Sequence, residues 1–442
     1  MFFGRDRFKF VFIGAGSSVF TLNLAGDILT ERSISGGSLV LVDIDEKKLN
    51  ETARGIKELV AYTEKNFSVE THTHYSTALD GADFVFFIYA VGGIESWKQD
   101  IEICTKHGVL QSVGDTIGPG GIIRILRSIP LALEITRKME DVCPEAYIIN
   151  YTNPEGAQCF AIQEYSKIRC FGLCHGTPDT AQELAKDVFK VEPDRFRYEA
   201  AGVNHLTWFT KMTIDGEDVY PRLEGALAES GYAQKEPISS TLFRVFGLYP
   251  APGDRHVSEF FSSFMRDRVL KEENYTWKNN DFVAIDGWRE NERLNLNALI
   301  ERHEGHEKFL QGSGETATHF IRALSSGAIT TEMVNVPNHG FIRNISDGII
   351  VEVPAYIDSF GIHPQGAITL PGGIAARCDS LGREYKLLVE AAVSCDLKLL
   401  LEAAYLDPLC ANCDYPEKLM GELIASNLRL LPDAWKKVEN FT

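Results

Sequence analysis

An α/β fold, with a parallel sheet in the N-terminal half and an α+β region behind it, is what the amino-acid sequence predicts, on three observations. Short apolar runs alternate with stretches of helical length as far as about residue 195. The first run leads into a Gly-x-Gly turn and the second ends in an acid. Beyond residue 195 the alternation stops and longer mixed segments follow.

Taken in order, Phe8 to Ile13, Ser38 to Val42, Asp83 to Tyr89, Ala146 to Asn150 and Cys170 to Leu173 read as buried strands. Between them, Asn50 to Lys65 reads as a crossover helix whose apolar positions are Ala53, Ile56, Leu59, Val60 and Tyr62. Tyr198 to Ile214 is strand-like, and a helical, loop-rich region is expected as far as Asn335. Strands at Phe341 to Ile345 and Gly348 to Val353 and helices at Arg383 to Ala404 and Tyr415 to Leu431 complete the expectation. The division is 1–195 and 196–442, with no obvious linker, which suggests a large shared interface.

A chain of 442 residues is long enough for two packed domains. Its formal charge of −18 repels phosphate backbones and anionic bilayers, so neither nucleic acid nor a membrane is an expected partner. No stretch reaches the roughly 18 apolar residues that span a bilayer. The first residues run straight into a strand without a signal-peptide pattern, and nine cysteines in no ladder suit a reducing compartment, so a cytoplasmic location is expected. Triplets such as Asn274-Tyr275-Thr276 are then incidental.

Gly14-Ala15-Gly16-Ser17 joins the first strand to a helix, where glycines allow a tight turn and a pyrophosphate can approach unpaired N–H groups. Asp43, ending the second strand, suits a ribose with both hydroxyls free. No arginine follows to greet a 2′-phosphate, so NAD is preferred to NADP.

In a parallel sheet, the loops after the strands share one edge, where ligands bind. That edge should carry Asn153 of Asn150-Tyr151-Thr152-Asn153-Pro154, and Cys174-His175-Gly176. Gly118-Pro119-Gly120-Gly121, flanked by Asp115 and Arg124, suits a helix start or a substrate cradle. His205 lies in the strand-like segment beyond. Cys174 and His205 are too far apart in sequence for a zinc finger, but facing one cleft they could leave positions open on a divalent ion. The Cys410/Cys413 pair and the His303/His306 pair read as structural.

Together these segments resemble glycoside hydrolase family 4, through Gly14-Ala15-Gly16-Ser17, Asp115 to Gly121, Tyr151-Thr152-Asn153-Pro154, Cys174-His175-Gly176, Gly202-Val203-Asn204-His205 and Val336 to Gly340. The resemblance implies a lactate-dehydrogenase-like Rossmann domain and an α+β domain, NAD with a divalent ion, usually Mn, and a homodimer or homotetramer. It implies Cys174 and His205 as metal ligands and Asn153 as a contact to the sugar. The implied reaction oxidises the C3 hydroxyl, removes the C2 proton, expels the C1 substituent, adds water and returns the hydride.

Members acting on 6-phosphosugars have Asn or Asp after the metal cysteine. His175 stands there instead, as in members acting on unphosphorylated α-glycosides. The segment Pro252 to Phe260 offers Asp254 as base, and the general acid is Asp115 or His175. The Ser112 to Gly121 and Gly253 to His256 segments resemble those of α-galacturonidase members, and Arg124 or Arg255 could clamp a uronide carboxylate, so an α-galacturonide is expected, with α-glucuronides and neutral α-glucosides or α-galactosides as alternatives. A plain NAD-dependent hydroxyacid dehydrogenase would share the first domain without needing Cys174 beside His205. A non-catalytic redox sensor would not need the metal pair either.

Overall fold

The computed structural model describes residues 2–266 and 282–441, so the triplet Asn274-Tyr275-Thr276 lies outside the described residues. The strands, in chain order, are β1 Arg7–Ile13, β2 Gly36–Val42, β3 Asn66–His72, β4 Phe84–Phe87, β5 Tyr147–Asn150, β6 Arg169–Gly172 and β7 Phe196–Val203. They continue with β8 Leu206–Ile214, β9 Glu217–Asp218, β10 Tyr249–Ala251, β11 Thr330–Pro337, β12 Ile350–Asp358 and β13 Gly361–Pro364.

The strands form one sheet in the order β10-β8-β7-β12-β11-β6-β5-β4-β1-β2-β3, with β13 and β9 added beside β12 and β8. From β6 to β3 the pairing is parallel, in the dinucleotide-binding arrangement of strands. At Gly172 the sheet turns antiparallel, where β6 meets Asn335 of β11. It therefore passes residue 195 without a break.

The parallel strands are buried on both faces, which is why they read as continuous apolar runs. Phe10 and Phe12 of β1 pack with Phe84 and Phe86 on one face, the Phe12 and Phe86 rings stacked at 4.8 Å, while Val11, Ile13, Val85 and Phe87 fill the other. The expected crossover helix spans Glu46–Thr63, with Asp45 capping it by accepting the Lys48 N–H. Helix Gly372–Ser394 comes back from the second half to lie on Gly118–Val142 and Glu155–Tyr165.

Four expectations need correction. β3 escaped notice because it is a polar edge strand, largely exposed to solvent. Tyr198 to Ile214 is a hairpin of two strands, turning at Asn204-His205. β11 lies within the region expected to be helix and loop. Phe341 to Ile345 is not a strand: the buried Asn338 amide donates to the carbonyls of Ile342 and Ile345 and accepts the Ile342 N–H, winding the chain into a stapled loop. Among the described residues no helix is long and apolar enough to cross a membrane.

Candidate active site

Gly14 has φ 96°, and a Cβ there would lie 2.5 Å from the Tyr89 Cα, so the β1 turn requires glycine. At Gly16 a side chain would strike Asp43, because the Gly16 N–H donates to Asp43 Oδ2 at 2.8 Å. Asp43 Oδ1 accepts the Asp45 N–H at 2.9 Å. Helix Ser18–Thr30 follows with no side-chain cap and no acid in its first turn, leaving its N–H groups for an anion. This donor set fits a dinucleotide pyrophosphate.

A second group of side chains collects around the loop before helix Gly118–Val142. The loop is pinned from several elements: Gly118 N–H donates to Asp407 at 2.8 Å, and Val113 and Gly114 N–H donate to Glu259 at 2.9 and 3.0 Å. Within it, Thr116 Oγ1 donates to Asp115 Oδ1 at 2.7 Å and lies 2.8 Å from His205 Nδ1. A hydroxyl has one proton. If Thr116 gives it to the Asp115 carboxylate, His205 must donate from Nδ1, which leaves the Nε2 lone pair free. Asn153 Nδ2 donates to the other Asp115 oxygen at 3.1 Å.

His205 sits at φ 62° in the β7–β8 turn, a left-handed conformation that costs a non-glycine residue about 1–3 kcal/mol. Its ring lies 4.3 Å from that of His256, and one donor atom from each of Asp115, His205 and His256 falls within 4.8 Å of the others. Burial, with each imidazole's environment, pushes His205 down to about 3 and His256 to about 4. Burial alone would raise Asp115, but the facing Arg124 guanidinium and the two histidines outweigh it and hold its carboxyl below the usual range.

His205 and His256 open onto a cavity of about 210 Å³, which Cys174, His175, Asp179 and Glu236 also line. Burial, reinforced by Glu352, raises the Cys174 thiol well above its ordinary value. Its sulfur accepts the Gly176 N–H at 3.4 Å. His175 Nδ1 lies 3.2 Å from Glu315, and that hydrogen bond, outweighing burial, raises the imidazole. Behind the wall, Glu352 accepts from Thr177 and Thr207, each at 2.8 Å, and burial lifts it to about 7.

The remaining expected residues are arranged differently. Asp254 is buried, and its two oxygens accept the N–H groups of Ile238 and Ser239 at 2.7 and 2.6 Å, at the start of helix Pro237–Phe246. It is Glu236, whose carboxylate accepts the Asp254 N–H at 2.6 Å, that reaches the cavity. Arg124 faces Asp115 from behind and lies over the Trp97 ring, with a buried Nε that has no partner. Arg255 is exposed and is not among the lining residues.

Thr116, His256, Glu315 and Glu352 were not singled out from sequence. Thr116 and His256 lie within the Asp115 to Gly121 and Pro252 to Phe260 segments, where nothing local marks them out from their neighbours. Glu315 and Glu352 lie 140 and 177 positions beyond His175, and only the fold brings them together.

The sequence profile described as Family 4 glycosyl hydrolase matches residues 9–190, and that described as its C-terminal domain matches 200–410. The chain is 30% identical to an alpha-galactosidase of Rhizobium meliloti, covering 96% of this chain and 89% of that one. It is also 30% identical to an alpha-galacturonidase of Thermoanaerobacter italicus, covering 97% and 98%. The crystal structure of lplD from Bacillus subtilis superposes with a TM-score of 0.85 at 26% identity, covering 94% of this chain and all of that one. The fold is shared as well with the 6-phospho-beta-glucosidase of Thermotoga maritima, at a TM-score of 0.80, 23% identity and coverage of 96% and 99%. The chain belongs to the family 4 glycosyl hydrolases.

Proposed function

We propose that the protein hydrolyses an unphosphorylated α-glycoside, with NAD at Gly14–Ser17 and Asp43 and a divalent ion, Mn in the first instance, at Cys174 and His205. The observation that carries this is the meeting of Cys174 with His205 in one cavity, with the His205 tautomer set by Thr116 and Asp115. The T. maritima enzyme was solved with manganese, NAD+ and glucose 6-phosphate, which supports the cofactor assignment by analogy of fold. NAD supplies a reversible hydride acceptor for the C3 carbon and the ion a Lewis acid, which together make the C2 hydrogen acidic.

The chain's own groups then move two protons. His175, whose hold on a proton is strengthened by Glu315 and which is exposed at the cavity, is the donor to the departing C1 oxygen. Asp254 is the base for C2. Burial raises its carboxyl, each oxygen keeps a lone pair beyond its N–H bond, and its neighbours Gly253 and His256 line the cavity. Asp115, held low by Arg124, is the poorer proton acceptor. Asn153 holds Asp115 and borders the sugar. We divide the chain near residue 195 into a cofactor unit and a substrate unit.

For the sugar we favour an α-galacturonide. Several relatives are named alpha-galacturonidase. A neutral α-galactoside is the second reading, because Asp179, Glu183 and Glu236 line the cavity and repel a carboxylate. Hydrolysis of p-nitrophenyl α-galacturonide and α-galactoside, with and without NAD+ and Mn2+, separates the two. A higher kcat/KM on the neutral sugar would end the galacturonide assignment, and activity without NAD+ would end the mechanism. In D2O, deuterium should enter C2 of the product, and Asp254→Asn should cut both exchange and cleavage by ~10²- to 10⁴-fold. Undiminished exchange in that variant would pass the base to Asp115.

A further inference from the structure

We propose that Asp115, His205 and His256 form a three-donor site for a divalent cation, in which His256 brings a protein ligand from the short helix Asp254–Val257. This rests on the reading that a divalent ion works in the cavity, and adds two donors which that reading does not contain.

The geometry is that of a site nearly assembled. Donors about 2.0–2.2 Å from one ion stand no more than about 4.4 Å apart. The three here are within 4.8 Å of one another, so a small side-chain rotation closes the set. Each donor also has a free lone pair. His205 meets Thr116 through Nδ1, and the tautomer that donates there leaves the Nε2 lone pair free. Asp115 accepts one hydrogen bond on each oxygen, from Thr116 and from Asn153, and keeps further lone pairs.

His256 differs from its two partners. Its ring makes no hydrogen bond to any described residue, although it lies against His205 and faces the cavity. The two rings lie 4.3 Å apart with no hydrogen bond between them. A cation between them gives both a partner.

The donor set also suits the chemistry. Two imidazoles and one carboxylate bind first-row divalent ions while leaving positions open for substrate oxygens. The second sphere is in place, since Thr116 orients both Asp115 and His205. Cys174 borders the same cavity but stands outside this group of three, so its thiolate is a separate donor to be tested.

The test is Mn2+ binding to the full-length protein without NAD or saccharide, followed by electron paramagnetic resonance of the free ion. His256→Gln, Asp115→Asn, His205→Gln and Cys174→Ser are compared with the parent, each checked for native circular dichroism. Even an outer-sphere partner changes metal affinity by ~10–100-fold, so His256→Gln should raise the Kd by about tenfold or more. Co2+ adds a second readout: the d–d bands should change in His256→Gln, while a thiolate-to-cobalt charge-transfer band reports Cys174 alone. If His256→Gln binds Mn2+ like the parent while His205→Gln and Cys174→Ser do not, the three-donor site is wrong and the Cys174–His205 reading stands. If Cys174→Ser binds normally and His256→Gln does not, the reverse holds. If the parent binds no Mn2+ or Co2+, both are overturned. Should His256→Gln fail to fold, Asp115→Asn decides by the same criterion.

Discussion

Two histidine pairs in this molecule gather on a carboxylate, one in the cavity and one at the surface, and solvent makes them opposites. At the surface, Glu58 Oε1 lies 2.8 Å from His303 Nδ1 and 3.1 Å from His306 Nε2, and His306 stacks on Tyr62 with ring centres 4.1 Å apart. The two hydrogen bonds hold the Glu58 carboxyl below its ordinary value. In the cavity, Asp115 takes its hydrogen bonds from Thr116 and Asn153, and burial keeps His205 and His256 neutral. At the surface one nitrogen of each imidazole is spent on the carboxylate itself, whereas in the cavity His205 Nδ1 meets Thr116 and the carboxylate is left to Thr116 and Asn153. A carboxylate that already receives both imidazoles can only support them from the second sphere, whereas one satisfied by other donors can stand beside them as a third donor.

The largest effect expected from this contrast is on cleavage. His205→Gln should weaken Mn2+ binding by at least ~10–100-fold and lower turnover with it, while His306→Gln should leave both unchanged. Equal loss in the two variants, measured by Mn2+ titration and α-glycoside hydrolysis, would mean that the surface pair also reaches the metal.

The contrast also shows why the sequence revealed some of this and hid the rest. His303-Glu304-Gly305-His306 puts two imidazoles close together in the chain, and its reading as structural fits the Glu58 hydrogen bonds. His205 and His256 stand 51 positions apart, and no periodicity links a hairpin turn to a short helix. The parallel strands were legible because burial on both faces forces apolar runs. β3 was not, since an edge strand can be polar, and neither was the Asn338 loop, whose apolar residues imitate a strand. Gly14, Gly16 and Asp43 were legible because the turn tolerates little else. Asp254 shows the limit: its motif offers a base, and only the fold shows that each oxygen also receives a backbone N–H group and has one lone pair left.

A smaller effect sharpens the role of Thr116. Thr116→Val keeps the shape but removes the hydroxyl that joins Asp115 to His205, leaving a buried His205 N–H unpaired at a cost of about 1–3 kcal/mol. Mn2+ affinity should fall by roughly tenfold, and Thr116→Ser should restore it. Full affinity in the valine variant, by the same titration, would show that the His205 tautomer is set by something else.

The two pairs should also answer differently to acid. His205 and His256 have folded values near 3 and 4, below the 6.5 of a free imidazole, so under acid the unfolded chain takes up protons that the folded chain refuses. Metal-free protein should therefore lose stability as pH falls from about 6.5 toward 4. His256→Gln should flatten that part of a Tm-against-pH curve recorded in EDTA. An unchanged slope would mean that the pair is solvated in the metal-free protein.

The smallest effect belongs to the surface pair, and it has the opposite character. Glu58 has a folded value below its ordinary 4.5, so its contribution is present above that pH and is lost as pH falls through the lower, folded value. The carboxylate is partly exposed and His303 largely so, which leaves solvent and salt to screen the interaction. Exposed pairs of this kind contribute about 0–1 kcal/mol. Glu58→Gln should accordingly lower Tm slightly at neutral pH, and the difference should shrink in high salt and vanish below the titration of Glu58. A large loss that persists in high salt would show that Glu58 stabilises through packing, with the Tyr62–His306 stack as the contact to test next by Tyr62→Leu.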